Sequence, residues 1–117
     1  MIWQVTWNPK LYDYKKVIED YQNGRHTGYI KQSKGRACMR VVPQIGDYVY
    51  ISCNKKKIMK CEIVSNFIIN QSEINDSYCK GIRPHTQNNT FLELKIIEIF
   101  NNPEPLLGYQ RTWVRIN

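Results

Sequence analysis

The chain has no C-x-x-C pair, only two histidines, and no apolar run near the ~20 residues that a membrane helix needs. Its four cysteines are Cys38, Cys53, Cys61 and Cys79, and with His26 and His85 their spacings fit no common zinc pattern. No signal-peptide pattern stands at the start, so the thiols are expected to be free in a reducing compartment. The chain is therefore expected to be intracellular, in cytoplasm or nucleus, and not secreted. Two histidines and ten scattered acids are too few to suggest general acid–base work. No cysteine is paired with a histidine by spacing, so an enzyme is not expected, and neither is a cofactor. There is no internal repeat, linker or low-complexity tail, and residues 1–117 are expected to form a single domain.

What is abundant is positive charge. Seventeen Lys and Arg against ten Asp and Glu leave a net charge of +7, and the pI is about 9.3. A basic surface of that size favours anionic partners, RNA or DNA first. The enrichment in Ile, Asn and Lys also fits an AT-rich genome, so charge alone does not decide the partner.

Residues 2–13 organise the rest. Trp3, Val5 and Trp7 alternate with Gln4 and Thr6, the period of a strand with one buried face. Asn8-Pro9 ends the strand, because Pro9 cannot donate to a ladder and forces Asn8 away from helical geometry. Tyr12 and Tyr14 follow, flanking Asp13, which can cap a helix. One corner thus receives a Trp, an Asn and two Tyr, the flat faces and the donor–acceptor amide that hold a nucleobase. Aromatic residues also dominate cores, so Trp7 is as compatible with a core position as with a pocket wall.

Tyr14, Val17, Ile18 and Tyr21 recur at i, i+3, i+4 and i+7 and predict an amphipathic helix that Gly24 stops. Residues 26–40 are irregular and basic, with Tyr29 among Lys31, Lys34, Arg36 and Arg40. Rings interleaved with cations suit a nucleic-acid strand, and equally an ordinary solvated loop. The turn Gly46-Asp47 feeds a strand in which Val49 and Ile51 alternate with Tyr48 and Tyr50. Residues 54–57 are a cationic hairpin loop, and residues 58–69 return as a long strand with Met59, Cys61 and Ile63 on one face. Residues 70–90 suggest a short helix or packed loop. Residues 91–100 form a third clear strand, with a phase slip at Ile97 that suggests a bulge. In the last strand, residues 110–116, an Arg111-Trp113-Arg115 face is either a binding face or a buried Trp with two snorkelling Arg. The class is α+β, a small mixed β-barrel or curled sheet of five or six strands with one firm helix and one or two short ones.

This order resembles the PUA-like superfamily, in particular its EVE and YTH-like branch. The resemblance lies in Trp7-Asn8-Pro9 with Tyr12-Asp13-Tyr14, in Ile45-Gly46-Asp47-Tyr48-Val49-Tyr50-Ile51, and in the strand over residues 58–64. It covers most of the chain. It implies a β-barrel with helices packed around it that binds a modified base of RNA or DNA in an aromatic pocket beside a basic surface. Carried over, it puts Trp7 and Asn8 at the pocket, Tyr12 or Tyr14 at its rim, and Tyr29 and Ser33 in the middle loop, where EVE-like domains often carry a Trp. Lys34, Arg36, Arg40, Arg111 and Arg115 would hold phosphates. The Gly-x-Lys-x-x-Glu-x-Arg pattern of the related ASCH group is absent. The expected function is therefore a nucleic-acid-binding module for an unpaired or flipped, methylated base. The alternative is a small protein-binding or inhibitor domain that modulates a host or defence factor.

Overall fold

The computed structural model of the chain describes residues 1–7, 12–33, 43–70, 78, 88–100 and 113–116. The alternating Trp3 and Val5 build strand β1 (Ile2–Thr6), and both are buried, as is Trp7 just beyond it. Helix α1 (Tyr14–Gln22) starts at Asp13, whose carboxylate accepts the Lys16 amide at 3.3 Å. It ends in a Schellman motif: the amides of Gly24 and Arg25 reach back to the carbonyls of Tyr21 and Asp20, at 3.2 and 2.7 Å. Gly24 takes the left-handed conformation that this ending requires, at φ +73°. The predicted apolar face is the packed one, with Val17 fully buried and Tyr14, Ile18 and Tyr21 against the core.

Five more strands follow: β2 (Tyr29–Ser33), β3 (Tyr48–Cys53), β4 (Lys56–Asn70), β5 (Asn88–Ile99) and β6 (Trp113–Arg115). They form one six-stranded mixed sheet in the order β2-β5-β4-β3-β1-β6. β1 runs parallel to β3, and the other neighbours are antiparallel. Val49, Ile51, Met59, Cys61, Ile63, Leu92, Leu94 and Ile96 line the inner face with Val17. In β5 the phase slip is a bulge: Lys60 pairs with Glu98 and Cys61 with Ile96, which leaves Ile97 as the extra, exposed residue and returns Ile99 to the core.

Asp47 fixes the start of β3. Its carboxylate accepts the Trp3 indole N–H, the Gln44 amide and the Met1 ammonium, each at 3.0 Å. Gly46, at φ +96°, supplies the positive φ of the tight turn that the Asp47 amide closes onto the Gln44 carbonyl at 3.0 Å.

The sheet is strongly curled. Four strand-to-strand steps separate β2 from β1, which in a flat sheet would be about 19 Å at about 4.8 Å per step. Yet the Trp7 indole Nε1 donates to Gln32 Oε1 at 2.6 Å. The expected closure into a barrel is not made among the described residues. β6 occupies the free edge of β1, so β2 has no edge of β1 to pair with, and a side-chain bond takes the place of a backbone ladder. Where a loop was expected over residues 26–40, β2 is a strand, and its Ile30 is buried opposite Leu94. The short helix expected near residues 70–90 falls largely outside the described residues, which place β4 as far as Asn70 and β5 from Asn88. Among the described residues, α1 is the one helix, and none is long and apolar enough to cross a membrane.

Candidate nucleic-acid interface

The outer face of the sheet carries the aromatic residues that the core does not use. β3 and β4 are joined by a two-residue turn, Asn54-Lys55, with φ +52° and +63°. Positive φ at both positions is the hairpin turn whose twist matches the strands, and it favours Asn followed by Gly. Lys55 stands where glycine is preferred. Just beyond the turn the register shifts, with Ile51 opposite Met59 but Ser52 opposite Lys57. Ile58 is the extra residue and is buried, and Lys57 joins Lys60 on the outer face.

That shift builds a row of rings and ammonium groups. The Lys60 Nζ lies 4.5 Å from the centre of the Tyr48 ring and 6.0 Å from that of Tyr50. The Lys57 Nζ lies 4.8 Å from the centre of the Tyr50 ring. Phe100, whose amide donates to the Ile58 carbonyl at 3.0 Å, stacks on Tyr50 with centroids 6.0 Å apart and planes 21° apart. Each such cation–π contact is worth about 0.5–1 kcal/mol at an exposed site. The pairing Tyr48–Glu62–Lys95–Tyr29 across four strands puts Tyr29 on the same face. Glu62, Glu93 and Glu98 offset part of the charge of Lys31, Lys60 and Lys95 there, so the positive excess gathers at the tip, on Lys55, Lys56 and Lys57. None of Lys55, Lys56, Lys57 or Lys60 is ion-paired with a described residue.

Behind the tip lies a cavity of about 480 Å³. Tyr14, Ile18 and Gln22, spaced four apart on one face of α1, form one wall. Cys53, Asn54, Lys56 and Ile58 of the hairpin form the facing wall, and Ile99 and Phe100 close the end. Cys53 and Ile58 are buried, whereas Gln22, Asn54 and Lys56 are exposed at the rim. The Asn54 amide donates to the Tyr14 hydroxyl at 3.3 Å. Burial pushes the Cys53 thiol up, against hydrogen bonds from the Asn54 backbone and the Tyr14 hydroxyl that favour the thiolate. Phe100 belongs both to the cavity and to the outer row.

The predicted corner is only partly assembled as a site. Trp7 and Tyr12 meet, edge to face, with centroids 5.0 Å apart and planes at 68°. Trp7, however, is only 7% exposed and belongs to the core cluster. Tyr12 continues to Tyr78 at 6.1 Å and Tyr78 to His26 at 5.4 Å, while the Tyr78 hydroxyl donates to Asp20 Oδ2 at 2.8 Å. These rings pack on one another. Ser33 ends β2 opposite Phe91, next to the Gln32 that holds Trp7. Tyr14 lines the cavity instead, Tyr29 lies exposed on the outer face, and Arg115 is exposed on β6 opposite Trp3. Asn8, Lys34, Arg36, Arg40 and Arg111 lie outside the described residues, as do Cys38, Cys79 and His85. The residues that sequence reasoning missed are Tyr48, Tyr50, Lys57, Lys60 and Phe100. A signal was there, since Tyr48 and Tyr50 are the residues of β3 that its apolar alternation turns away from the core.

No family model, curated protein or solved structure matches the chain. Of the described cysteines, Cys53 and Cys61 are both buried, and burial pushes the Cys61 thiol up to about 12. The Nδ1 of His26 accepts the Gly28 amide at 2.9 Å. Among the described residues no three His, Cys, Asp or Glu are grouped to hold a metal ion.

Proposed function

We propose that this chain is a nucleic-acid-binding module for single-stranded or locally unpaired RNA or DNA, with a modified, methylated base as the preferred ligand. The observation that carries this is the half-exposed row in which Lys57 and Lys60 sit over Tyr48 and Tyr50 and Phe100 stacks on Tyr50. As the flexible Lys57 and Lys60 side chains swing from the ring faces to phosphates, bases take their place on the rings, which any base can do through its π face, at about 1–3 kcal/mol per base. Lysines of the tip meet phosphates, and the net charge of +7 draws the strand in. The preference for a methylated base rests on the resemblance to EVE and YTH-like domains. The PUA-like kinship is likewise a proposal; a curled mixed sheet with a helix against its inner face is compatible with it.

The test is a titration of short single strands, RNA and DNA, with matched plain and methylated bases, at several salt concentrations. Tyr50→Ala is expected to weaken binding about 5- to 150-fold at unchanged salt dependence, the equivalent of one lost stacking partner. Lys57→Ala is expected to weaken all strands alike and to reduce the salt slope by about 0.7. If the wild-type chain binds no strand at low salt, nucleic-acid binding is refuted, and the alternative of a protein-binding or inhibitor domain takes its place.

A further inference from the structure

The Trp7 corner offers an incoming ring little room, because Trp7, Tyr12, Tyr78 and His26 pack edge-on and tilted in a chain, one against the next, and Trp7 is nearly buried. The space in the fold lies elsewhere, between α1 and the β3–β4 tip. We propose that this cavity is the base-holding site, and that it takes one unpaired nucleoside of a strand bound on the outer row. The proposal rests on the nucleic-acid function above and says where its specificity resides.

Three features of the cavity fit a nucleoside. Its volume of about 480 Å³ lies within the roughly 300–1,000 Å³ of small-molecule sites. Its inner wall is apolar, with the half-buried Ile99 in front of the buried Cys53 and Ile58 to meet a ring face or a base methyl group, while Tyr14 and Phe100 supply aromatic surface. Its rim carries two amides, Gln22 and Asn54, each with a carbonyl acceptor and an N–H donor. That is the pairing a base edge presents, in the way flipped bases are read along their Watson–Crick edge. Lys56 stands at the same rim for the phosphate.

Continuity supplies the route. Phe100 stacks on Tyr50 and also closes the end of the cavity, so a strand stacked along the row runs past the opening. The Asn54 to Tyr14 hydrogen bond joins the two walls and, at 3.3 Å, is long enough to yield to an incoming base.

Gln22→Trp tests this, because an indole at that exposed last residue of α1 plugs the rim without touching the core. Binding of a short single-stranded oligonucleotide is followed by fluorescence anisotropy, and AMP, GMP, CMP and UMP are titrated separately while amide NMR shifts are recorded. The expected result is an oligonucleotide affinity about 5- to 150-fold lower in Gln22→Trp with an unchanged salt slope. In the wild type, the monophosphates should shift Tyr14, Asn54 and Phe100. Wild-type affinity in Gln22→Trp, with shifts confined to Tyr48, Tyr50 and Lys60, would overturn the cavity assignment and leave nucleic-acid binding standing. No binding of the oligonucleotide by the wild-type chain would overturn both. Should Gln22→Trp fail to fold by circular dichroism, Asn54→Gly keeps the left-handed backbone and removes the amide. It should then erase discrimination among the four monophosphates, and retained discrimination would count against the proposal.

Discussion

Replacing Lys55 with glycine should make the protein more stable and a poorer binder of nucleic acid. Lys55 holds φ +63°, a left-handed conformation that costs an L-residue about 1–2 kcal/mol. Glycine removes that strain but brings a more flexible unfolded chain, a loss of about 0.5–1 kcal/mol. The balance is a gain of up to about 1.5 kcal/mol, centred on about 0.75 kcal/mol, which is about 2–5 °C in Tm for a domain of this size. Lys55 is exposed and makes no ion pair with a described residue, so no described native contact of its charge is lost. Urea denaturation is the assay: the midpoint should rise with the m-value unchanged. Under the proposed function, the same substitution removes one phosphate contact and lowers the salt slope of single-strand binding by about 0.7. Lys55→Asn is the control, since Asn tolerates positive φ and carries no charge; its binding should match that of the glycine variant. A midpoint that falls in Lys55→Gly would refute the claim of strain at the turn. A salt slope that does not move would show that strain is not held there for the sake of a cation.

Trp7→Ala should cost about 3–5 kcal/mol, read by chemical denaturation, since it empties a core position and removes the donor to Gln32 that spans the curled sheet; a loss under about 1 kcal/mol would place Trp7 outside the core. Asp47 governs acid stability. Burial alone would raise its carboxyl, but the Gln44 amide, the Trp3 indole and the Met1 ammonium outweigh that and hold it below the usual Asp range. Its contribution is thus fully present above the unfolded value of about 3.9 and is lost as pH falls through the lower folded value. Asp47→Asn should lower stability at neutral pH and flatten the acid limb of a pH-dependent melting curve; an unchanged acid limb would refute this role.

Local elements were legible in the sequence because local chemistry decides them. Asp13, the spacing of Tyr14, Val17, Ile18 and Tyr21, and Gly24 mark α1 almost to the residue, and all of those signals lie within a dozen positions. The alternation of β3 over residues 48–51 and the slip at Ile97 likewise survive in the fold, whereas β1 is buried on both faces, with Gln4 covered as well as Trp3 and Val5 because β1 lies between β3 and β6. β2 was not legible. Tyr-Ile-Lys-Gln-Ser has one apolar residue to bury, and its ladder comes from β5, more than fifty positions along the chain. The parallel union of β1 with β3, and the seat that β6 takes on β1, are long-range choices of the same kind, and together they leave the sheet open. The site divides similarly. Trp7 and Tyr12 do come together, but burial turns the Trp into a structural residue. The outer row depends on the shift at Ile58, which moves Lys57 to the outer face and which no spacing of residues announced.

The place of β6 bears on how the molecule assembles. Its three residues pair with β1 from the far end of the sequence, and the Ile116 amide donates to the Ile2 carbonyl at 2.9 Å. Such a contact closes nearly the whole chain into a loop, so its entropic cost falls due only after the intervening strands have shortened that loop by pairing. β6 is therefore expected to dock after the folding transition state, as a latch on a finished sheet. Weakening it should then leave the folding rate almost unchanged and speed unfolding, which stopped-flow folding and unfolding rates would show; an equal slowing of folding would refute late docking.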